Sequence, residues 1–308
     1  MDSVLSLHKI KKNYGPVKAL DEITFDVPKG AVFGILGPNG SGKTTLLSIV
    51  MDIVKATQGN FYWNGEKGSS AAMRRQIGTL LETPNFYHYL NAVKNLKIAA
   101  AIKEKDKGQI DEVLQKVNLY QRRFSKFNTY SLGMKQRLAI ASTLLGNPDI
   151  LVFDEPTNGL DPAGIAEIRD LIKALSREGK TIIMASHILD EVEKVCTHVA
   201  IIQNGVLKTS GSIGEVLNAT TADAISSIEI EIGATDLAAL QAVLQNFPEM
   251  IKQEMQSKSI LIQVPAEVLP ATINRFCFDN GIVLNQLQVK QKSLESRFLE
   301  ITDRKSDR

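Results

Sequence analysis

Gly37-Pro38-Asn39-Gly40-Ser41-Gly42-Lys43-Thr44 fits the spacing G-x-x-x-x-G-K-[ST]. The chemistry of that spacing is the holding of phosphate. Glycines let successive backbone N–H groups turn inward around phosphate oxygens, a helix starting near Lys43 aims its positive end at them, and the Lys43 ammonium reaches the outer phosphates. Thr44 can offer its hydroxyl to Mg²⁺. A second group, Asp154-Glu155, closes the apolar run Ile150-Leu151-Val152-Phe153. Asp154, at the end of a strand, can hold Mg²⁺ through water, and Glu155 can take a proton from an attacking water. A carboxylate pair alone says little, but one that follows an apolar strand downstream of a phosphate loop points to phosphoryl chemistry.

The elements needed to position these groups are legible. Ala31 to Leu36 is almost continuously apolar, as in a strand buried on both faces, and the helical spacing of Thr44 to Met51 follows the glycine loop. Val4 to Lys9 and Ala19 to Val27 read as further strands, and Phe61 to Trp63 as a strand entering an Asn64-Gly65 turn. Ile77 to Leu81 is another buried strand, and Phe86 to about Leu145 carries helical spacing, an all-α insertion. From Ile150 to Ile202 apolar runs alternate with the helical segments Pro162 to Leu175 and Ile188 to Val195, which predicts right-handed βαβ crossovers and a mainly parallel sheet. Asn204-Gly205 predicts a hairpin, and a short helix near Ile213 to Leu217 follows. A boundary is placed in the small, polar stretch Ala219 to Ser227, giving domains 1–220 and 221–308. The second reads as an α+β module: strands at Ile228 to Ile232, Ile260 to Val264 and Ile282 to Val289, and helices at Leu237 to Phe247, Val268 to Phe278 and Leu294 to Ile301. Asp303 to Arg308 is expected to be a solvated tail.

Composition narrows the function. Across 308 residues, 36 Lys and Arg offset 34 Asp and Glu to a formal +2, which argues against a polyanion such as nucleic acid as the default partner. With 44% hydrophobic and 23% charged residues and a mean hydropathy of -0.06, wholesale disorder is excluded. Cys196 and Cys277 form no disulfide framework or zinc pattern, and they, like Trp63, are expected to pack in cores. No apolar run is long enough to span a bilayer and the start lacks the shape of a signal peptide, so a cytoplasmic chain is expected, with any spanning helices supplied by another polypeptide.

Tyr130-Ser131-Leu132-Gly133-Met134-Lys135-Gln136-Arg137 precedes a helix, with Ser131 placed as its N-cap. The segment resembles the signature of ATP-binding cassette (ABC) ATPases. Leu132 and Met134 depart from the commonest form, whereas Ser131 and Gly133 are kept. Other residues extend the resemblance over Val4 to Leu217. Tyr14 looks like the aromatic that stacks on adenine, though a tyrosine can also pack under a turn; Asn158 to Pro162, with Asp161, looks like the D-loop; and Ser186-His187 looks like the switch histidine. The family normally has glutamine where this chain has Glu82. Ile77 to Tyr87 and the signature both resemble the bacitracin and lantibiotic exporter subgroup. Glu82 can present an oxygen to Mg²⁺ or water, but adds negative charge beside Asp154 and Glu155.

The resemblance implies a P-loop α/β fold with an N-terminal antiparallel β subdomain, a helical subdomain over about 86–145 and ATP hydrolysis with Mg²⁺. Gly37, Pro38, Asn39, Gly40, Ser41, Gly42, Lys43, Thr44 and Thr45 would hold the phosphates and Tyr14 the base. Thr44, Asp154 and Glu82 would face the metal, Glu155 would be the base, and His187 would orient water and the outer phosphate. Ser131, Gly133 and Asp161 would act across an ATP-dependent homodimer. The partner would be a polytopic permease, placing the chain on the inner face of the cell membrane as an exporter subunit. Phe86, Tyr87, His88 and Tyr89 could line a groove for a permease helix, or form the core of the insertion. A soluble ATPase of translation or DNA repair, and a nucleotide-binding regulator without turnover, are the competing readings. The single motif set without a heptad run or basic stripe weighs against the first; intact Glu155 and His187 weigh against the second.

Overall fold

In the computed structural model, residues 2–68, 70–81, 85–218, 227–290 and 293–302 are described. Alternating apolar residues make β1 (Ser3–Tyr14) and β2 (Val17–Pro28) an antiparallel pair, with Leu5, Leu7, Ile10, Leu20, Ile23 and Val27 turned into the core. Then come β3 (Val32–Leu36), α1 (Lys43–Val50), β4 (Gln58–Trp63), β5 (Glu66–Lys67), α2 (Ala71–Arg74) and β6 (Ile77–Leu80). The insertion holds α3 (Ala92–Ile102), α4 (Ile110–Lys116) and α5 (Leu132–Leu144). The alternating part holds β7 (Ile150–Asp154), α6 (Pro162–Arg177), β8 (Thr181–Ser186), α7 (Leu189–Val195), β9 (His198–Gln203), β10 (Val206–Ser212) and α8 (Ile213–Asn218).

Two sheets result. One is antiparallel, in the order β2-β1-β4-β5; the other runs β10-β9-β3-β8-β7-β6 and is parallel except at the β9–β10 hairpin. Every residue of β3, β7 and β8 is buried, as strands covered on both faces must be. The Asn-Gly turns behave as their composition requires. Asn64 and Gly65 have φ of +48° and +81°, and Asn204 and Gly205 have +50° and +74°, the left-handed pair of a tight hairpin. Trp63 is fully buried and donates its indole N–H to the Val50 carbonyl at 2.9 Å.

The helical insertion starts later than its apolar spacing suggests. Residues 85–91 are irregular, because Asn91 caps α3 by accepting from Lys94 N–H and buried Asn95 bonds the backbone of Tyr87, Leu90 and Asn91. At its other end, α3 is pinned to α5 by Lys103, whose Nζ donates to the Ser142 carbonyl at 2.7 Å.

The described residues gather into two compact units that part between Val216 and Leu217. The second contains β11 (Ser227–Ala234), α9 (Leu237–Leu244), β12 (Lys252–Met255), β13 (Ile260–Pro265), α10 (Pro270–Asp279), β14 (Leu284–Lys290) and most of α11 (Leu294–Thr302). Its antiparallel sheet, ordered β12-β13-β11-β14, is the split β-α-β-β-α-β arrangement. Ile230, Ile232, Ile260, Ile262 and Val264 pack with Leu240, Leu244, Ile273 and Cys277 in its core. The composition gave no sign of β12: Lys-Gln-Glu-Met has no alternation, and register with β13 alone makes it a strand. Most of the expected boundary stretch and the expected tail, 219–226 and 303–308, lie outside the described residues.

Burial, with help from the Lys105 charge, pushes the Lys103 ammonium down from 10.5 to about 8. Between those values the unfolded chain binds the extra proton, so folding stability gains from this residue as pH rises from 8 to 10.5. Urea unfolding at both ends of that window should show the gain in the parent chain and not in Lys103→Met. An equal rise in the variant would contradict the assignment.

Candidate active site

The carboxyl ends of β3, β7 and β8 lie side by side, because Leu36 pairs with Ser186 and Asp154 with Ala185. Ligands of open α/β sheets bind at this edge. The loop leaving β3 is shaped by two glycines that nothing larger could replace. A Cβ on Gly37 would lie 2.2 Å from the Ile202 carbonyl oxygen and 2.5 Å from Ser41 Oγ; one on Gly42, at φ +105°, would lie 2.6 Å from the Ala19 carbonyl oxygen. The β9–β10 hairpin buttresses the loop, with Gly205 N–H donating to the Ser41 carbonyl and Asp21 N–H to the Gly205 carbonyl. The Asn-Gly signal found that hairpin, but nothing in it revealed that the hairpin braces the loop.

Lys43 opens α1 and is buried. Its Nζ donates to the carbonyls of Gly37 at 2.8 Å and Pro38 at 3.2 Å, and lies 3.5 Å from Glu155 Oε1. Glu155 Oε2 lies 2.8 Å from His187 Nδ1. One carboxylate therefore bridges a lysine from the first βα turn and a histidine from the loop after β8. The bridge requires an unusual backbone: Glu155 has φ +47°, held by its N–H to the Ala185 carbonyl at 3.0 Å. A bulky non-glycine residue in the left-handed region costs of order 1–3 kcal/mol and persists where surrounding structure enforces it, as at functional sites.

Asp154 is buried at the end of β7, and Thr44 is exposed in the first turn of α1. Ser41 Oγ and Thr157 Oγ1 are buried without a hydrogen-bond partner among the described residues, polar atoms at the rim of the same edge. Thr157 carried no signal in the sequence. Hydroxyl and carboxylate oxygens of this kind suit Mg²⁺, which takes one or two protein ligands and completes its shell with phosphate and water.

The remaining candidates are placed but not brought into this contact. Tyr14 ends β1 half exposed, with Lys12 Nζ 4.8 Å from its ring centroid. Ser131 Oγ caps α5 by accepting from Met134 N–H at 3.3 Å, and Asp161 caps α6 by accepting from Gly164 N–H at 3.0 Å. The nearest atom to an added Cβ on Gly133 is Gly164 Cα at 3.8 Å, so this chain leaves room for a side chain there. Glu82 lies outside the described residues.

A family model described as ABC transporter matches residues 20–158. A bacitracin transport ATP-binding protein of Bacillus licheniformis is 34% identical, covering 98% of each chain. The chain belongs to the ABC transporter ATP-binding proteins. A lantibiotic transport ATP-binding protein of Streptococcus pyogenes is 39% identical over 66% of this chain and 88% of its own. Among solved structures, the dimeric post-hydrolysis state of an ATP-binding cassette bound to ADP and Pi superposes with a TM-score of 0.61 at 27% identity, covering 68% of this chain and 98% of that one. The fold is thus the P-loop ABC cassette and the activity is ATP hydrolysis in transport. The reading as a translation or repair ATPase finds no support. No helix among the described residues is long and apolar enough to cross a membrane.

Gly37→Ala tests the loop geometry. The added methyl displaces the loop against a backbone oxygen, and a shift of about 1 Å at such a site costs about a hundredfold. ATPase kcat/KM should fall by about that factor with thermal unfolding little changed; a kcat/KM within threefold of the parent would contradict it.

Proposed function

We propose that this subunit hydrolyses ATP at the Lys43–Glu155–His187 contact and so drives a separate permease that exports peptide antibiotics or related amphiphiles. The convergence of those three side chains at one sheet edge carries the catalytic part. In phosphoryl transfer the protein positions groups and neutralises charge. The loop from Gly37 to Thr45 holds the phosphates with its N–H groups, and Lys43 exchanges its Gly37 and Pro38 carbonyls for phosphate oxygens. Glu155 takes the proton of the attacking water, and His187, bonded to Glu155, holds that water and the outer phosphate in line. Thr44 and Asp154 are the residues to hold Mg²⁺, and the family resemblance assigns Glu82 to face it; bound there, the ion would supply neutralising charge to the phosphates. Tyr14 receives the base.

Ser131 and Gly133 complete the site from a second copy. A signature on a different helix from the phosphate loop, with room at Gly133 beside Gly164, suits contact with the γ-phosphate held by a facing subunit. Asp161 works at the same junction. ATP then closes a homodimer and hydrolysis loosens it, a bistable device that a membrane partner converts into alternating access.

The permease reading rests on the relatives' function and on a cleft of about 370 Å³ lined by Asn85, Phe86, Tyr87, Asn95, Ile98, Ala99 and Ile102. Tyr87 and Ile102 are exposed there, while Phe86 and His88 pack on the Phe127 ring at 5.3 and 5.6 Å. None of the four aromatics is buried: Phe86 is half-buried, and Tyr87, His88 and Tyr89 are exposed, so the run edges the cleft and does not form the core of the insertion, and the cleft suits an amphipathic helix of the permease. The chain then sits peripherally on the inner face of the cell membrane. We take residues 1–220 as the cassette and 221–308 as an accessory domain.

Glu155→Gln should retain ATP binding, accumulate the ATP-bound dimer and lose at least about a hundredfold in turnover, seen by size-exclusion chromatography and phosphate release. Turnover near the parent rate would remove Glu155 from the base role. Glu82→Gln should weaken the dependence of hydrolysis on Mg²⁺ concentration and on pH; unchanged dependences would show that the extra charge is inert.

A further inference from the structure

The near-zero net charge of the chain hides a strong local imbalance. Residues 85–103 contain Lys94, Lys97 and Lys103, residues 117–130 contain Arg122, Arg123 and Lys126, and neither segment contains Asp or Glu. The fold lays the two segments side by side: Asn91 bridges to Lys126, Val93 N–H donates to the Arg123 carbonyl, Phe127 N–H to the Leu90 carbonyl and Asn128 N–H to the His88 carbonyl. None of the six cations makes an ion pair among the described residues, and Lys94, Lys97, Arg122 and Lys126 are exposed.

Aromatic rings stand among these cations. Tyr89 and Phe124 are each 68% exposed and Tyr87 is 50% exposed. The Tyr87 and Tyr89 rings touch, with centroids 6.0 Å apart, and the Arg123 guanidinium lies 4.5 Å from the Phe124 ring centroid and 3.7 Å from that of Tyr120. Exposed phenol and phenyl rings interspersed with unpaired Lys and Arg match the bilayer interface, where rings enter the headgroup layer and cations meet lipid phosphates. The backbone that carries Tyr87 and Tyr89 is tied down by buried Asn95, which bonds Tyr87, Leu90 and Asn91. The patch also shares Tyr87 with the cleft assigned to the permease.

We propose that this face of the helical subdomain binds the anionic headgroup surface of a lipid bilayer directly. Charge complementarity selects that occupant: the four exposed cations Lys94, Lys97, Arg122 and Lys126, on segments without a carboxylate, repel one another when free and are neutralised by a surface of phosphates, while Tyr89 and Phe124 leave water for the interface. The proposal goes beyond the permease reading, since it needs no permease to operate.

The test is flotation of the purified full-length chain with phosphatidylcholine vesicles and with vesicles containing one third phosphatidylglycerol, at low and high salt. Binding to the anionic vesicles only, weakened by salt, is expected. A cation near such a surface contributes about a fivefold gain in affinity, so Lys94→Gln/Arg122→Gln/Lys126→Gln should weaken it on the order of a hundredfold. Tyr89→Ser/Phe124→Ser should weaken it while leaving its salt dependence in place. Basal ATPase activity of each variant reports folding. Equal flotation with both vesicle types, or full binding by the triple variant, would overturn the proposal. So would a triple variant that loses only its assembly with a permease, since that would make the partner an acidic protein segment. Failure of the permease reading leaves vesicle binding intact, so the two are separable.

Discussion

The Glu155 carboxylate, held between Lys43 and His187, is the contact on which the rest of this site depends. It joins three parallel strands' carboxyl ends, and it exists only because Glu155 adopts a left-handed backbone against the Ala185 carbonyl. The fully buried β3, β7 and β8 fix those ends, and the sheet that makes them rigid is covered on both faces. The tightness of the Gly37–Gly42 loop follows from the same packing, because the neighbouring β9 and its hairpin press a carbonyl against Gly37. The lysine that would otherwise be a buried unpaired charge is satisfied by loop carbonyls and one carboxylate, an arrangement that phosphate oxygens can replace at little cost.

Much of this is legible in the amino-acid sequence. Continuous apolar runs gave the buried strands, and spacing alone picked out Gly37, Lys43, Thr44, Asp154 and Glu155 as phosphate chemistry. The order of signature, Asp161 and His187 added the family. What the residues did not announce has physical reasons. The strain at Glu155 belongs to tertiary context, since glutamate has no local preference for positive φ. Bracing by Ile202 and Gly205 is a contact between segments more than 150 residues from the loop, and β12 is a strand by register alone. Thr157 is a plain threonine until its burial at the sheet edge is seen.

Charge gives the clearest case of information lost by reading along the chain. A total of +2 argued against polyanions, and it remains true of the whole molecule. Yet two segments that contain no carboxylate, separated in sequence by α4, come together side by side and expose Lys94, Lys97, Arg122 and Lys126. Composition averages over the surface, whereas electrostatic recognition acts within about a Debye length, near 8–10 Å at physiological salt. A neutral total and a strongly basic patch are therefore compatible.

The central claim is that Glu155 and His187 act as one unit, and a double-mutant cycle measures this directly. Steady-state phosphate release would be followed in the parent, Glu155→Gln, His187→Ala and the combined variant. Groups that act together are strongly non-additive, so the combined variant should be no slower than the worse single variant. Losses that multiply would show two independent contributions and contradict the account.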